Sequence, residues 1–178
     1  MNRINGWIFD VYADVDGMSV WIIDLDGRSH QLRDTLAPSF FVYGSNAELH
    51  AVCVLLTSTQ APVRLRHAER YDLFLRRNLV LLEVQVLKPN LFSWIFKRVQ
   101  NFKPELTFYN ADLSPAQFYY FEKNLFPLAY CEIEADEAGR IVGIEAQDSR
   151  WDLDYTLPPL KIMSLRLEGE SQNPNHGF

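Results

Sequence analysis

Seven cations crowd one stretch of this 178-residue chain: Arg64, Arg66, Arg70, Arg76, Arg77, Lys97 and Arg98. Residues 61–110 hold nine Lys/Arg against four Asp/Glu, a net +5, while residues 1–60 carry −4 and residues 111–178 carry −7. A basic patch between acidic ends has the chemistry to hold phosphate, through planar guanidinium forks and point-charge ammonium groups. The same charges also fit a solvated face whose arginines pair with Glu69, Asp72 and the acidic last third. Both readings stand at this point.

The carboxylates offer less. Two turns read Asp-x-Asp-Gly, at 14–17 and 24–27. A calcium loop needs more oxygen ligands and a closing Glu, which neither turn has. Asp-Gly is instead a hairpin signal, because glycine accepts positive φ without strain. Glu132, Glu134 and Glu145 fall at alternate positions of strand-like segments, the pattern of a wet sheet face. No metal ligation is expected from them. Phosphate-loop, dinucleotide, His-Glu-x-x-His, Cys-x-x-Cys and nucleophile-elbow motifs are absent from the sequence. The four histidines, His30, His50, His67 and His176, are scattered. No nucleophile, base and orienting group assemble along the sequence, so the residues point to a non-catalytic domain with a phosphate-binding surface.

The elements that must carry these residues are legible from periodicity. Val80–Leu87 alternates with Val80, Leu82, Val84 and Val86 on one face, the period of a strand. Lys88-Pro89 stops it, and Asn90 is placed to cap a helix whose apolar side carries Leu91, Trp94, Ile95 and Val99. Segments 39–43, 63–73 and 106–109 read as strands, and 46–56 reads as a helix. The order β-α-β-β-α-β over residues 38–110 predicts an α+β fold. Its centre is a split β-α-β (ferredoxin/RRM-like) antiparallel sheet with two helices. A β-meander over 7–36 and a β-hairpin over 129–147 flank it, packed beside it as a barrel-like layer. Residues 111–128 read as a helix capped by Ser114, with Pro115 first, Gln117 completing a capping box and Pro127 ending it. Residues 1–150 form one domain on this reading. Residues 151–178 form a connector followed by a strand at 161–167, which is either the start of a piece cut from a longer protein or a last strand that packs on what precedes it.

Apolar content of 48% suits a globular core. Cys53 and Cys131 sit in apolar patterns and read as buried thiols of a reducing compartment. No apolar run reaches the roughly 18 residues that span a bilayer, and the first residues lack a signal-peptide pattern. The expectation is a cytoplasmic protein without a membrane partner.

Five stretches, in register along nearly the whole chain, together resemble the N-terminal region of family B DNA polymerases. They are Trp7–Tyr12 before an Asp-Gly turn, Pro38–Tyr43, Arg66–Arg70, Asn124–Pro127 and Leu157–Leu165. The resemblance implies a non-catalytic domain on the template side, with single-stranded or template DNA and the remaining polymerase domains of the same chain as partners. It implies Mg²⁺ only for a parent polymerase, and no cofactor for this region. In the archaeal branch an N-terminal pocket reads template uracil. The matching positions here are Tyr12 and Pro38, which fit the pattern. Ser39, Phe92 and Phe118 depart from an aromatic, a small aliphatic and a basic residue. The family's first 3′–5′ exonuclease motif stands here as Ser164-Leu165-Arg166-Leu167-Glu168. Arg166 replaces the metal-binding aspartate, and a permanent guanidinium cation does not ligate Mg²⁺. Glu168 alone is not a site, so the resemblance implies a disabled proofreading centre. The alternative reading is a free-standing single-stranded nucleic-acid module or a structural interaction domain. In such a module Phe41 and Tyr43 would stack bases from one central strand.

Overall fold

The alternating run at 80–87 does form an inner strand, and the chain is built in two sheets around it. The computed structural model describes residues 2–154 and 156–164. Strands β1 (Asn2–Asp14), β2 (Gly17–Asp24) and β3 (Ser29–Asp34) form the expected meander. Then follow β4 (Ser39–Tyr43), α1 (Asn46–Ser58), β5 (Val63–Asp72), β6 (Arg77–Val86), α2 (Phe92–Phe102) and β7 (Thr107–Tyr109). Helix α3 (Pro115–Glu122) and the hairpin β8 (Tyr130–Ala135) and β9 (Ile141–Ala146) complete the order. The fold is thus α+β, with one antiparallel sheet ordered β3-β2-β1-β8-β9 and another ordered β5-β6-β4-β7.

Each sheet has its own core. In the four-stranded sheet, Phe40, Val42, Leu82, Val84 and Val86 bury one face against Leu49, Val52 and Leu56 of α1 and Phe92, Ile95 and Val99 of α2. Both helices therefore cover the same face. The alternation fails at one end, where Val80 is 61% exposed. The opposite face also holds buried side chains, Leu79, Leu81 and Glu83. The five-stranded sheet packs Ile8, Val20, Ile22 and Ile133 against Tyr119 and Leu125 in and after α3. Strand β1 is long because it serves two partners: residues 2–7 pair with β8, and residues 6–14 pair with β2. The edge strands β3 and β9 meet at one bridge, Arg33 to Arg140, so the sheet curls toward a barrel.

Local chemistry corrects three expectations. Asn90 does not cap α2: a 3₁₀ turn at Pro89–Leu91 comes first, and Leu91 precedes the helix with no side-chain cap. Pro89 fixes φ one residue earlier and begins the turn there. Helix α3 starts as expected, with the Ser114–Gln117 capping box, but stops at Glu122 rather than at Pro127. Asn124 takes φ 52°, a left-handed conformation that asparagine tolerates better than most residues and that ends the helix. Residues 161–164 lie in no strand, and 165–167 fall outside the described residues, as do Arg166 and Glu168. The connector ahead of them is docked: Trp7 Nε1 donates to the Thr156 carbonyl at 2.8 Å, and Pro158 is buried. Among the described residues, no helix is long and apolar enough to cross a membrane.

One buried carboxylate ties α3 to the meander. Asp34 accepts from the Leu36 amide at 3.0 Å and the Tyr119 hydroxyl at 3.3 Å, and Lys123 Nζ sits 2.7 Å away. Burial, and then the Asp34 carboxylate, push the Tyr119 phenol far above its ordinary value, so it stays a donor. Asp34→Ala leaves that hydroxyl without its acceptor, and is expected to cost about 1–3 kcal/mol. A lowered urea midpoint with an unchanged slope is the check; an unchanged midpoint contradicts it.

Candidate nucleic-acid interface

The seven cations do not form one patch. Successive strand side chains point to opposite faces, and β5 sends Val63 and Leu65 toward the helices. Arg64, Arg66 and Arg70 therefore project from the other face, opposite Gln85, Glu83 and Leu79 of β6. Arg77 joins them, its Nη2 lying 3.4 Å from the Tyr43 hydroxyl. Arg76 sits in the β5–β6 turn at φ 51°. Lys97 and Arg98 belong to α2, on the helix-covered side of the sheet. Arg98 lies over the Trp94 ring, 5.2 Å from its centroid. Nearness in sequence placed these two with the others; strand and helix geometry separates them.

The face turned away from α1 and α2, here called the open face, has an aromatic centre. Phe41 and Tyr43 of β4 lie on it with Leu79 and Leu81, and Tyr109 of β7 packs directly opposite Phe41. Sequence reasoning found Phe41 and Tyr43 but missed Tyr109. The signal was the period-2 spacing of Thr107 and Tyr109 within a strand too short to show alternation. Arg70 carries its guanidinium 5.2 Å from the Phe41 ring centroid, a cation–π contact.

One arginine of the face is structural. Glu83 is 3% exposed, yet it lies in the middle of the sheet. Arg66 donates to it twice, from Nε at 2.7 Å and Nη2 at 3.0 Å, and Ser39 Oγ donates at 2.9 Å. Strands β4, β5 and β6 thus meet at one carboxylate. Burial alone would push the Glu83 carboxyl up; the bonds from Arg66 and Ser39, with the Arg66 charge, hold it below its ordinary value. Glu83 therefore presents no free negative charge to an approaching phosphate, and Arg64, Arg70 and Arg77 remain for one.

Two hollows share Phe41, Arg70 and Asn110 and so form one groove along the face. The first, about 230 Å³, lies where the face meets α3, between Ser39, Arg66 and Glu83 on one side and Phe118 and Glu122 on the other. The second, about 270 Å³, lies beneath the tip of the β5–β6 hairpin, over Leu79, Leu81 and Tyr109. Of the positions matched by resemblance to a base pocket, the structure brings Ser39 and Phe118 together in the first hollow, with Pro38 buried next in the chain. The other two stand apart. Tyr12 lies on the five-stranded sheet with its hydroxyl near Trp21 and Gln31, and Phe92 is buried edge-on against Phe40 in the core of the four-stranded sheet.

The carboxylate clusters resolve as structure. Asp24 accepts from the Asp26 and Arg28 amides within its own turn, and its other oxygen lies 2.7 Å from His30. Glu132 and Glu134 both pair with Arg3 of the neighbouring strand. No group of three His, Cys, Asp or Glu is set to hold a metal among the described residues. Cys53 and Cys131 are free thiols, and burial pushes the latter up to about 12, which keeps it unreactive.

No protein-family model matches the chain. No curated protein matches its sequence. Among solved structures, the fold is similar to the family B DNA polymerase from the hyperthermophilic archaeon Pyrobaculum calidifontis, with a TM-score of 0.60 and 21% sequence identity. The likeness covers 88% of this chain and 21% of that one, so the chain spans about a fifth of the polymerase's length. At that identity the two share a fold. The resemblance read from the five sequence stretches thus has a counterpart in three dimensions.

The Glu83 pair makes a pH-dependent contribution of known sign. A carboxyl held below its ordinary 4.5 in the folded state stabilises fully above that value, and loses its effect as pH falls through the lowered one. Glu83→Gln is expected to cost about 1–3 kcal/mol at neutral pH. It should also flatten the fall in stability that the wild-type chain shows from about pH 5 downward. Denaturant midpoints of both proteins across that range are the check, and parallel curves contradict it.

Proposed function

We propose that this chain is a non-catalytic, nucleic-acid-side domain of a family B DNA polymerase-like protein, and that a single strand lies along the open face of the β5-β6-β4-β7 sheet. The strand order, with two crossover helices on one face, supports reading this sheet as a split β-α-β unit. The observation that carries the proposal is the pairing, on one face, of Arg64, Arg70 and Arg77 with Phe41, Tyr43 and Tyr109. Single-strand binders combine a cationic groove for the backbone with aromatic platforms for bases. Glu83, which would repel phosphate if free, is neutralised by Arg66.

In this reading the template-directed chemistry belongs to other domains of a longer polypeptide, which supply the Mg²⁺ site, and this chain positions the strand. The Arg166 substitution is part of the same proposal: a longer protein carrying this segment lacks proofreading from the usual two-metal centre.

The affinity for an oligothymidylate should be weak and should fall with salt, with a slope near −0.7 for each phosphate neutralised. Replacing Arg64, Arg70 and Arg77 together by Ala is expected to reduce that slope by about 2 and to weaken binding. Replacing Lys97 and Arg98 by Ala should leave both nearly unchanged. Affinity independent of salt, or a loss confined to the helix variant, contradicts the proposal.

A further inference from the structure

The β5–β6 hairpin tip is built unlike an ordinary surface turn. Phe74 is 96% exposed and Leu73 79% exposed at its apex. With Tyr71 and Leu75 also exposed they make a contiguous apolar tip, and contiguous exposed apolar surface marks interaction sites. The tip is also held in place. Asp72 Oδ1 accepts from the Phe74 and Leu75 amides at 2.8 and 2.7 Å, and Oδ2 accepts from the Tyr109 hydroxyl at 2.7 Å. One carboxylate thus anchors the tip to β7, on the open face. These bonds hold Asp72 below the usual carboxylate range. Beneath the tip lies the hollow of about 270 Å³, with Phe41, Leu79, Leu81 and Tyr109 along it and Asn110 at its edge. Arg70 lines the hollow, Arg76 lies in the turn itself and Arg77 begins the return strand.

We propose that this hollow is a base slot, in which one unstacked base of a single strand sits between Phe74 and the apolar floor while Arg70, Arg76 and Arg77 meet the phosphates on either side. The inference rests on the reading of the open face as a single-strand surface, and adds the element that grips a base. Charge decides the occupant. Arg70 lines the slot, Arg77 stands opposite its one carboxylate, Asp72, in the hairpin register, and Arg76 lies in the adjoining turn, so cations outnumber the carboxylate around it and favour an occupant that carries negative charge next to a flat apolar group. A nucleotide has both in one unit. The volume is small for a drug-sized ligand and suits a single ring system.

The test uses an oligothymidylate carrying one 2-aminopurine, titrated into the wild-type chain, Phe74→Ala and Phe74→Trp. Phe74 is exposed, so its replacement leaves the core intact. The slot predicts quenching of the 2-aminopurine on binding to wild type and Phe74→Trp. It predicts a roughly 5- to 150-fold weaker affinity for Phe74→Ala, the range of one lost base–aromatic stack. The salt slope should be unchanged in Phe74→Ala, because the phosphate contacts remain. Wild-type affinity and quenching in Phe74→Ala overturn the slot but leave the open-face reading standing. No salt-dependent binding by the wild-type chain overturns both. Tighter binding of an acidic, phenylalanine-bearing peptide than of the oligonucleotide, lost in Phe74→Ala, overturns the slot in favour of a peptide partner.

Discussion

A carboxylate buried in the middle of a sheet face is the constraint on which the candidate interface depends. Removing Glu83 from water carries a desolvation cost of several kcal/mol unless it is paired. The cost is offset by three donors from two neighbouring strands, Arg66 twice and Ser39 once. The pairing fixes the register in which Arg66 lies opposite Glu83 and Ser39 opposite Gln85. With that register set, every second residue of β5 projects from the open face, and Arg64 and Arg70 flank the occupied Arg66. A one-residue slip would turn all three toward the helices. The same carboxylate thus holds the sheet and leaves the face positively charged.

The two sheets depend on each other through α3. Its core residues, Tyr119 first, belong to the five-stranded sheet, while Phe118 and Glu122 line the hollow on the four-stranded one. Asp34 at the end of β3 secures α3 through Tyr119 and Lys123, so the wall of the groove is set by contacts made in the other sheet. Trp7 of β1 holds the Thr156 carbonyl, and Pro159 lies close to Gly27 in the β2–β3 turn, so the chain beyond the hairpin runs along the five-stranded sheet.

Much of this was legible in the sequence where local rules and packing agree. The alternation of β6, the Ser114 capping box and the Asp-Gly turns each specify one local answer. The first helix carries a second capping box, Ser45 with Glu48, which obeys the same rule. Sequence reading went astray where a single residue overrides the pattern, as Pro89 does for Asn90 and Asn124 does for the end of α3. The candidate site was half visible. The cations and Phe41 with Tyr43 were found by type. Which of them share a face depends on the pairing of β5 with β6, and so the separation of Lys97 and Arg98, and the arrival of Tyr109 beside Phe41, are tertiary facts. The Glu83–Arg66 pair is another: the sequence shows a carboxylate on the face, and only the β5–β6 register sets Arg66 against it.

Backbone amide chemical shifts of the isotopically labelled chain, followed as an oligothymidylate is added at low salt, test the central claim most directly. The account predicts shifts concentrated on β4, β5, β6 and β7, at Phe41, Tyr43, Arg64, Arg70 and Tyr109, with α1 and α2 nearly silent. Shifts centred on Lys97 and Arg98, or on the five-stranded sheet with the open face unmoved, would contradict it.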